Sequence, residues 1–231
     1  MVTSFSHSMD ATYHMKHLGF PSFMLGLKIR RSEDALHLSQ EQYIADVAAK
    51  FGVVSSVPAP TPANPTGTLA TTPDSSSPLL DTDRYPYLSL IGSLLWVSLT
   101  RPDVATAVSK ACQRSKSPTV ADWRAARRIL SYLYHSRTLG LRYSTTPRPP
   151  TVSAFVDASW GNERNGKSRY GFVVMLAGSP ISWVTKTTTM VCLSTAESEF
   201  VAASEACKDV MWARGLLGEL GMHQSLSLIH I

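Results

Sequence analysis

Asp157 and Glu199 are the two side chains whose types and setting could do chemistry. A hard divalent cation such as Mg²⁺ prefers oxygen ligands and keeps several waters, so carboxylates from a strand end and a nearby helix are what it would need. Asp157 follows the strand-like run Val152 to Val156 and is expected at its C-terminal end, where a turn-forming role is the ordinary alternative. Two acids open the later helix, and spacing separates them. Ser194-Thr195-Ala196-Glu197 fits a capping box, which gives Glu197 a structural role, whereas Glu199 has none and is free to turn toward the sheet edge. No comparable set exists for other metals. His14 and His17 are three apart with no third ligand nearby, and Cys112, Cys192 and Cys207 are too few and scattered for a zinc site or a disulfide framework.

The second chemical signal is charge. The chain of 231 residues carries a net charge of +5, but residues 101–150 alone hold +8. Arg124 and Arg128 lie one turn apart beside an apolar helical stripe, and Lys110, Arg114, Lys116, Arg127, Arg137, Arg142 and Arg148 surround them. An ordinary solvated face is the plain reading of any one of these. Their repetition favours a phosphate-facing surface, with Arg124, Arg127, Arg128, Lys110 and Arg114 as the candidate contacts.

The elements that must position these groups follow from periodicity. Ser22 to Ile29 and Ala35 to Leu38 read as a hairpin, and Tyr43, Val47 and Phe51 as a helix capped by Ser39 with Gln42. From Ser55 to Arg84, 17 of 30 residues are Pro, Ser or Thr, the composition of a linker. Tyr87, Leu88, Ile91, Leu94, Leu95 and Val97 mark a buried helix, Thr100-Arg101-Pro102-Asp103 its end, and Ser117-Pro118 the start of a further helix. Beyond the Pro-rich break, Val152 to Val156, Tyr170 to Leu176, Ile181 to Val184 and Met190 to Leu193 read as short antiparallel strands with Gly178-Ser179-Pro180 as one turn. A helix from Thr195 with Phe200, Ala203, Cys207, Val210, Met211, Arg214 and Leu217 on one face follows, and Leu226 to Ile231 begins another strand. Trp160, Trp183 and Trp212 are expected in the core. The fold class is therefore mixed α/β (α+β), in segments 1–54, 55–84, 85–148 and 151–231.

No apolar run approaches the roughly 20 residues of a membrane span, and no basic flank precedes an apolar core at the N-terminus, so a cytoplasmic or nuclear protein without a membrane partner is expected.

Several motifs occur in one collinear series. Leu25-Gly26-Leu27, Leu38-Ser39-Gln40, Ile91-Gly92-Ser93-Leu94-Leu95, Thr100-Arg101-Pro102-Asp103, Ala125-Ala126-Arg127-Arg128-Ile129-Leu130 and Asp157-Ala158-Ser159-Trp160 come first. Ser168-Arg169-Tyr170-Gly171, Ile181-Ser182-Trp183 and Leu193-Ser194-Thr195-Ala196-Glu197-Ser198-Glu199-Phe200 follow. In that order they resemble the Pol polyprotein of copia-type LTR retrotransposons, from the end of reverse transcriptase into ribonuclease H. The resemblance implies that the hairpin belongs to the primer-gripping part of the palm, and that the basic helices are thumb and connection. It implies that residues 151–231 are the first half of a ribonuclease H fold, with Asp157 and Glu199 as its first two Mg²⁺ ligands. RNA–DNA hybrid or other nucleic acid is the implied partner, together with further polyprotein segments and a virus-like particle in the parent element, and no small-molecule substrate. The paired aspartates of the polymerase are expected before Met1 and the remaining ribonuclease H carboxylates after Ile231, so this chain alone is expected to be inactive, with weak Mg²⁺ binding or none. Ser159 stands where the family usually has an acid. A non-catalytic nucleic-acid-binding module and a relic without function are the competing readings.

Overall fold

The computed structural model describes residues 9–10, 12–13, 19–63, 77–146, 149, 151–163 and 165–231. His14, His17 and Arg148 lie outside them. The architecture is mixed α/β, with two four-stranded sheets.

The expected N-terminal hairpin is present. Strands β1 (Phe23–Met24), β2 (Leu27–Arg31) and β3 (Ala35–Ser39) pair antiparallel in sequence order. The β1–β2 turn places Leu25 and Gly26 at φ +50° and +76°, a left-handed pair that matches the twist of the strands and that glycine adopts without penalty. The hairpin gains a fourth strand that the sequence did not announce: β4 (Leu141–Ser144) pairs with β3 across about a hundred residues, supported by Thr145 N–H donating to the Asp34 carbonyl at 2.9 Å. Helix α1 (Glu41–Lys50) starts later than the capping pattern predicted. Ser39 stays in β3, Gln40 takes the N-cap position without a side-chain cap, and Gln42 bonds Asp46 instead. The buried Gln40 amide instead makes tertiary hydrogen bonds, donating to the Trp96 carbonyl at 3.2 Å and accepting from the Thr100 hydroxyl at 2.7 Å.

Helices α2 (Tyr87–Val97), α3 (Ala105–Cys112, after a 3-10 turn at Pro102–Val104) and α4 (Val120–His135) build one core with α1. Ile44, Leu90, Leu94, Val97, Ile129, Leu130 and Leu133 are fully or almost fully buried there. On α2 the inward stripe is Tyr87, Leu90, Ile91, Leu94 and Val97; Leu88 and Leu95, expected inside, are exposed because each lies about 100° off that line. Helix α4 begins two residues beyond the expected Ser117 cap. Thr119 and Asp122 form a reciprocal capping box, while the Pro118 carbonyl is occupied by the Leu80 N–H. Thr119→Ala is accordingly expected to lower stability by about 1 kcal/mol in urea denaturation, with the Asp122 carboxylate left to cap alone.

The Pro/Ser/Thr-rich segment is not a free linker at its ends. Leu80 is buried in the helical core, Ser56 Oγ donates to Ser131 Oγ at 2.9 Å, and Ser131 Oγ donates to the Val57 carbonyl at 3.0 Å. A few apolar and hydroxyl groups suffice to tether both ends to α4, which composition over 30 residues averages away.

The second sheet has the order β7-β6-β5-β8, from β5 (Val152–Ser159), β6 (Arg169–Leu176), β7 (Ser179–Thr187) and β8 (Leu228–His230). The first three are antiparallel, and β8 lies parallel to β5. The β6–β7 turn is Ala177-Gly178, at φ +50° and +79°, so Ser179 and Pro180 already belong to β7 opposite a register shift at Val174/Met175. Met190 to Leu193 is not a strand. Thr188 Oγ1 and the Trp160 indole bind the Met190 and Cys192 carbonyls, holding this run as a bent loop into the helix. Helix α5 (Thr195–Glu219) buries Ser198, Ala202, Ala206, Val210, Ala213 and Leu217 against Val152, Ala154, Val156, Phe172 and Val174. Phe200 and Met211, expected on that face, are 76% and 71% exposed. The alanines let the helix lie close to the sheet, which the bulkier stripe would prevent. Among the described residues no helix is long and apolar enough to cross a membrane.

Candidate functional site

Strand alternation decides where Asp157 points. Val152, Ala154 and Val156 face α5, so Phe155 and Asp157 leave the sheet on its other side. Asp157 is two residues short of the strand end, and its cross-strand partner is Gly171, which offers no side chain to meet it. A hollow of about 510 Å³ opens over this face, walled opposite by α3. Asp157, Phe155, Arg169 and Trp183 line it from the sheet, and Thr106 and Lys110 line it from the helix. The structure thus brings Asp157 and Lys110, two of the sequence-derived candidates, to one cavity.

Glu199 sits in the second turn of α5 beside the buried Ser198 and Ala202, and its Oε2 is buried without a hydrogen-bond partner. An unpaired buried carboxylate oxygen costs desolvation, a cost that a bound water or an ion would relieve. Glu197 has the structural role expected for it, one residue further back: its carboxylate accepts from the Leu193 N–H, and its own N–H donates to Ser194 Oγ at 3.1 Å. No hydrogen bond or ion pair links Asp157 to Glu199. Among the described residues no three Asp, Glu, His or Cys side chains cluster as a metal site would require. Two carboxylates without a third ligand do not make up the donor set of a two-ion Mg²⁺ centre.

The basic candidates divide by what they touch. Arg124 is exposed on α4. Arg127 donates to the Gly52 carbonyl at 2.9 Å and so closes the C-terminal end of α1, while Arg128 donates to Thr61 Oγ1 at 3.1 Å and keeps its Nε buried without a partner. Arg114 lies 3.7 Å from Asp122, with about a fifth of its side chain exposed. Of the five, Lys110 lines the hollow that Asp157 also lines.

Three tryptophans expected in the core are placed otherwise. Trp160 is half exposed with its indole on the Cys192 carbonyl at 2.8 Å, Trp183 donates to the Ser98 carbonyl at 3.1 Å, and Trp212 is exposed. Sequence reasoning also passed over Arg169. Its guanidinium is buried, pairs with Glu163 at 2.6 Å and reaches Ser109 Oγ at 3.0 Å, joining the second sheet to α3 beside the Asp157 hollow. The available signal was a charged residue opening an otherwise apolar strand.

No family model and no solved structure matches the chain. Curated relatives place it among the proteins of transposable elements. It is 32% identical, over its whole length, to 18% of a retrovirus-related Pol polyprotein from transposon TNT 1-94 of Nicotiana tabacum. It is 32% identical, over 87% of its length, to 13% of one from transposon RE1 of Arabidopsis thaliana. An uncharacterized mitochondrial protein of Arabidopsis thaliana is 31% identical over 89% of this chain and 83% of its own length. The chain belongs to the retrotransposon Pol polyprotein family. It spans less than a fifth of the Pol polyproteins it matches.

Proposed function

We propose that the chain is the part of a copia-type Pol polyprotein that joins the end of reverse transcriptase to ribonuclease H, and that it holds an RNA–DNA hybrid without hydrolysing it alone. Residues 1–54 and 85–148 form the palm-end, thumb and connection unit in this reading, and residues 151–231 the ribonuclease H-like unit. The observation that carries it is the second sheet: a three-stranded meander, a long helix packed on one face, and a strand returning parallel beside the first, with Asp157 and Glu199 at the motif positions. The orphaned Glu199 oxygen and the open hollow at Asp157 support a ligand-seeking role for both. Asp157 leaves the sheet on the face away from α5, which carries Glu199, so the two carboxylates do not form one donor set. Mg²⁺ binding is weak or absent, and further carboxylates are required for strand hydrolysis. Such a chain works in the cytoplasm or nucleus.

The test is an RNA–DNA hybrid with Mg²⁺. Salt-sensitive binding is expected, weakened by Lys110→Gln and Arg124→Gln with unchanged melting. Arg127→Gln and Arg128→Gln should lower the melting temperature as well, because each removes a tertiary hydrogen bond. No RNA cleavage above that of Asp157→Asn is expected; cleavage that disappears in Asp157→Asn would show the site to be sufficient as it stands.

A further inference from the structure

The Pro/Ser/Thr-rich segment carries chemistry that the nucleic-acid reading leaves unused. Its start runs Val57-Pro58-Ala59-Pro60-Thr61-Pro62-Ala63, with proline at every second position from 58 to 62. Proline fixes φ, supplies no N–H and pushes the residue before it to extended backbone, so the run is held open without forming a helix or strand. Among the described residues no backbone–backbone hydrogen bond holds Pro58 to Ala63. Side chains of α4 tie the run down instead, Ser131 at the Val57 carbonyl and Arg128 at Thr61.

Thr61 is where the run meets charge. Its hydroxyl donates to the Ala63 carbonyl at 2.6 Å and accepts from Arg128 Nη2 at 3.1 Å, while Arg128 Nε is buried with no hydrogen-bond partner. Nε and Nη2 form one edge of a guanidinium, a fork that suits two oxygens of a single anion. The protein shows that fork filled elsewhere: Arg101 holds both carboxylate oxygens of Asp103 through the same two nitrogens, at 2.9 and 2.7 Å. At Arg128 one hydroxyl oxygen occupies one prong, and the other is a buried donor left unpaired, which costs desolvation. Arg124, one turn back and exposed, adds positive potential on the same side of α4.

A phosphoryl group on Thr61 Oγ1 would complete this arrangement, bringing three acceptor oxygens and close to two negative charges to the atom that Arg128 already touches. Threonine followed by proline in an open, extended run is the form of substrate that proline-directed protein kinases take. We propose that Thr61 is a phosphorylation site for a kinase of that class, and that its phosphate closes on the Arg128 fork and clamps the segment to α4. In the transfer the Thr61 hydroxyl oxygen bonds the terminal phosphorus of a nucleoside triphosphate, the bond from that phosphorus to the bridging oxygen breaks, the diphosphate leaves, and the hydroxyl proton passes to the kinase's base. The bond to the Ala63 carbonyl goes with that proton, and two charge-assisted bonds to Arg128 outweigh it. No contact with nucleic acid enters this step, so it stands or falls apart from the function above.

The experiment treats the full chain with a proline-directed serine/threonine kinase, ATP and Mg²⁺, and follows it by peptide mass spectrometry and thermal melting. A phosphate is expected on the peptide that holds Thr61, and the treated chain should melt about 2 to 4 °C above the untreated one. In Thr61→Val, where other sites such as Ser117-Pro118 stay available to the kinase, treatment should bring no rise. Arg128→Gln should still take the phosphate while the rise disappears. Arg128→Lys, which offers a point charge and no fork, should keep less than half of it, and decides the matter if the glutamine variant does not fold. A chain that takes no phosphate on Thr61 overturns the proposal. So does a phosphate on Thr61 without a rise, or a rise that persists undiminished in the Arg128 variants. Inorganic phosphate added to the untreated chain is the remaining arm. A rise of the same size there, lost in Arg128→Gln, would mean that the fork takes a free anion, and would overturn covalent modification.

Discussion

Arg169→Met is expected to destabilise the protein by about 3 to 5 kcal/mol, the range for removing one partner of a buried ion pair. Both members of this pair have side chains only 8% exposed. The guanidinium donates to Glu163 at 2.6 Å through Nε, to Ser109 Oγ at 3.0 Å through Nη1, and to Thr187 Oγ1 at 3.3 Å through Nη2. Methionine fills similar space but leaves the Glu163 carboxylate without its cation, with the Gln113 amide as its remaining side-chain partner, and takes one hydrogen bond each from Ser109 and Thr187. Arg169→Lys should recover less than half of the loss, because an ammonium cannot reproduce the planar fork. Glu163→Gln should be milder, since its amide oxygen still accepts from Nε. Two observables separate this junction from ordinary packing. A double-mutant cycle between positions 163 and 169 should give a coupling of about 1 kcal/mol or more, read from urea denaturation. Arg169→Met with Glu163→Leu should be more stable than Arg169→Met alone, since the stranded charge is gone. A loss below about 0.5 kcal/mol in Arg169→Met, the level of an ordinary surface change, would refute the assignment. The same guanidinium fixes the distance between the sheet and α3, so its loss should also disturb the hollow shared by Asp157 and Lys110.

Legibility in the sequence tracked the range of the interaction. Helices α2 and α4 and strands β5 to β7 were readable because their apolar period is local and strong. Strand β4 was not: Leu141-Arg142-Tyr143-Ser144 is four residues long, two of them polar, within a basic stretch, and its partner Ala35–Ser39 is remote in sequence. The α5 stripe was misplaced because Phe200 and Met211 outweigh Ala202, Ala206 and Ala213 in hydropathy, whereas close packing on a sheet rewards the small residues. At the candidate site, residue type and motif order pointed to Asp157 and Glu199, but which face of β5 carries Asp157 depends on the register that puts Val156 under α5. Arg127 and Arg128 drew a phosphate reading from charge alone. Their partners at Gly52 and Thr61 lie 75 and 67 residues away, beyond any periodicity.

Arg101 gives the second large effect, and its pH dependence identifies the cause. The side chain is 2% exposed and grips Asp103 with two hydrogen bonds of 2.9 and 2.7 Å. It also donates to the Ser136 carbonyl at 2.9 Å and Ser136 Oγ at 2.8 Å, tying the start of α3 to the end of α4. Tyr132 closes the cluster: its ring lies 5.4 Å from the guanidinium, and its hydroxyl donates to Asp103 at 2.8 Å. Arg101→Met should cost about 3 kcal/mol, the lower end of the range for buried pairs, because Asp103 is about a third exposed and water replaces part of what it loses. Partial burial works against ionisation of Asp103, but the hydrogen bonds from Arg101 and Tyr132 and the positive charge of Arg101 outweigh it and hold the carboxyl below its ordinary value. A depressed carboxyl stabilises the fold fully above its unfolded value near pH 3.9, and that contribution is lost as pH falls through the lower folded value. The gap between wild type and Arg101→Met should therefore be flat from about pH 5 to 8 and narrow below about pH 4. Between Asp103→Asn and Arg101→Met with Asp103→Asn the gap should stay flat into acid, because neither chain carries a carboxyl at position 103 to titrate. A gap that stays constant into acid would mean that Arg101 acts through Ser136 and packing alone.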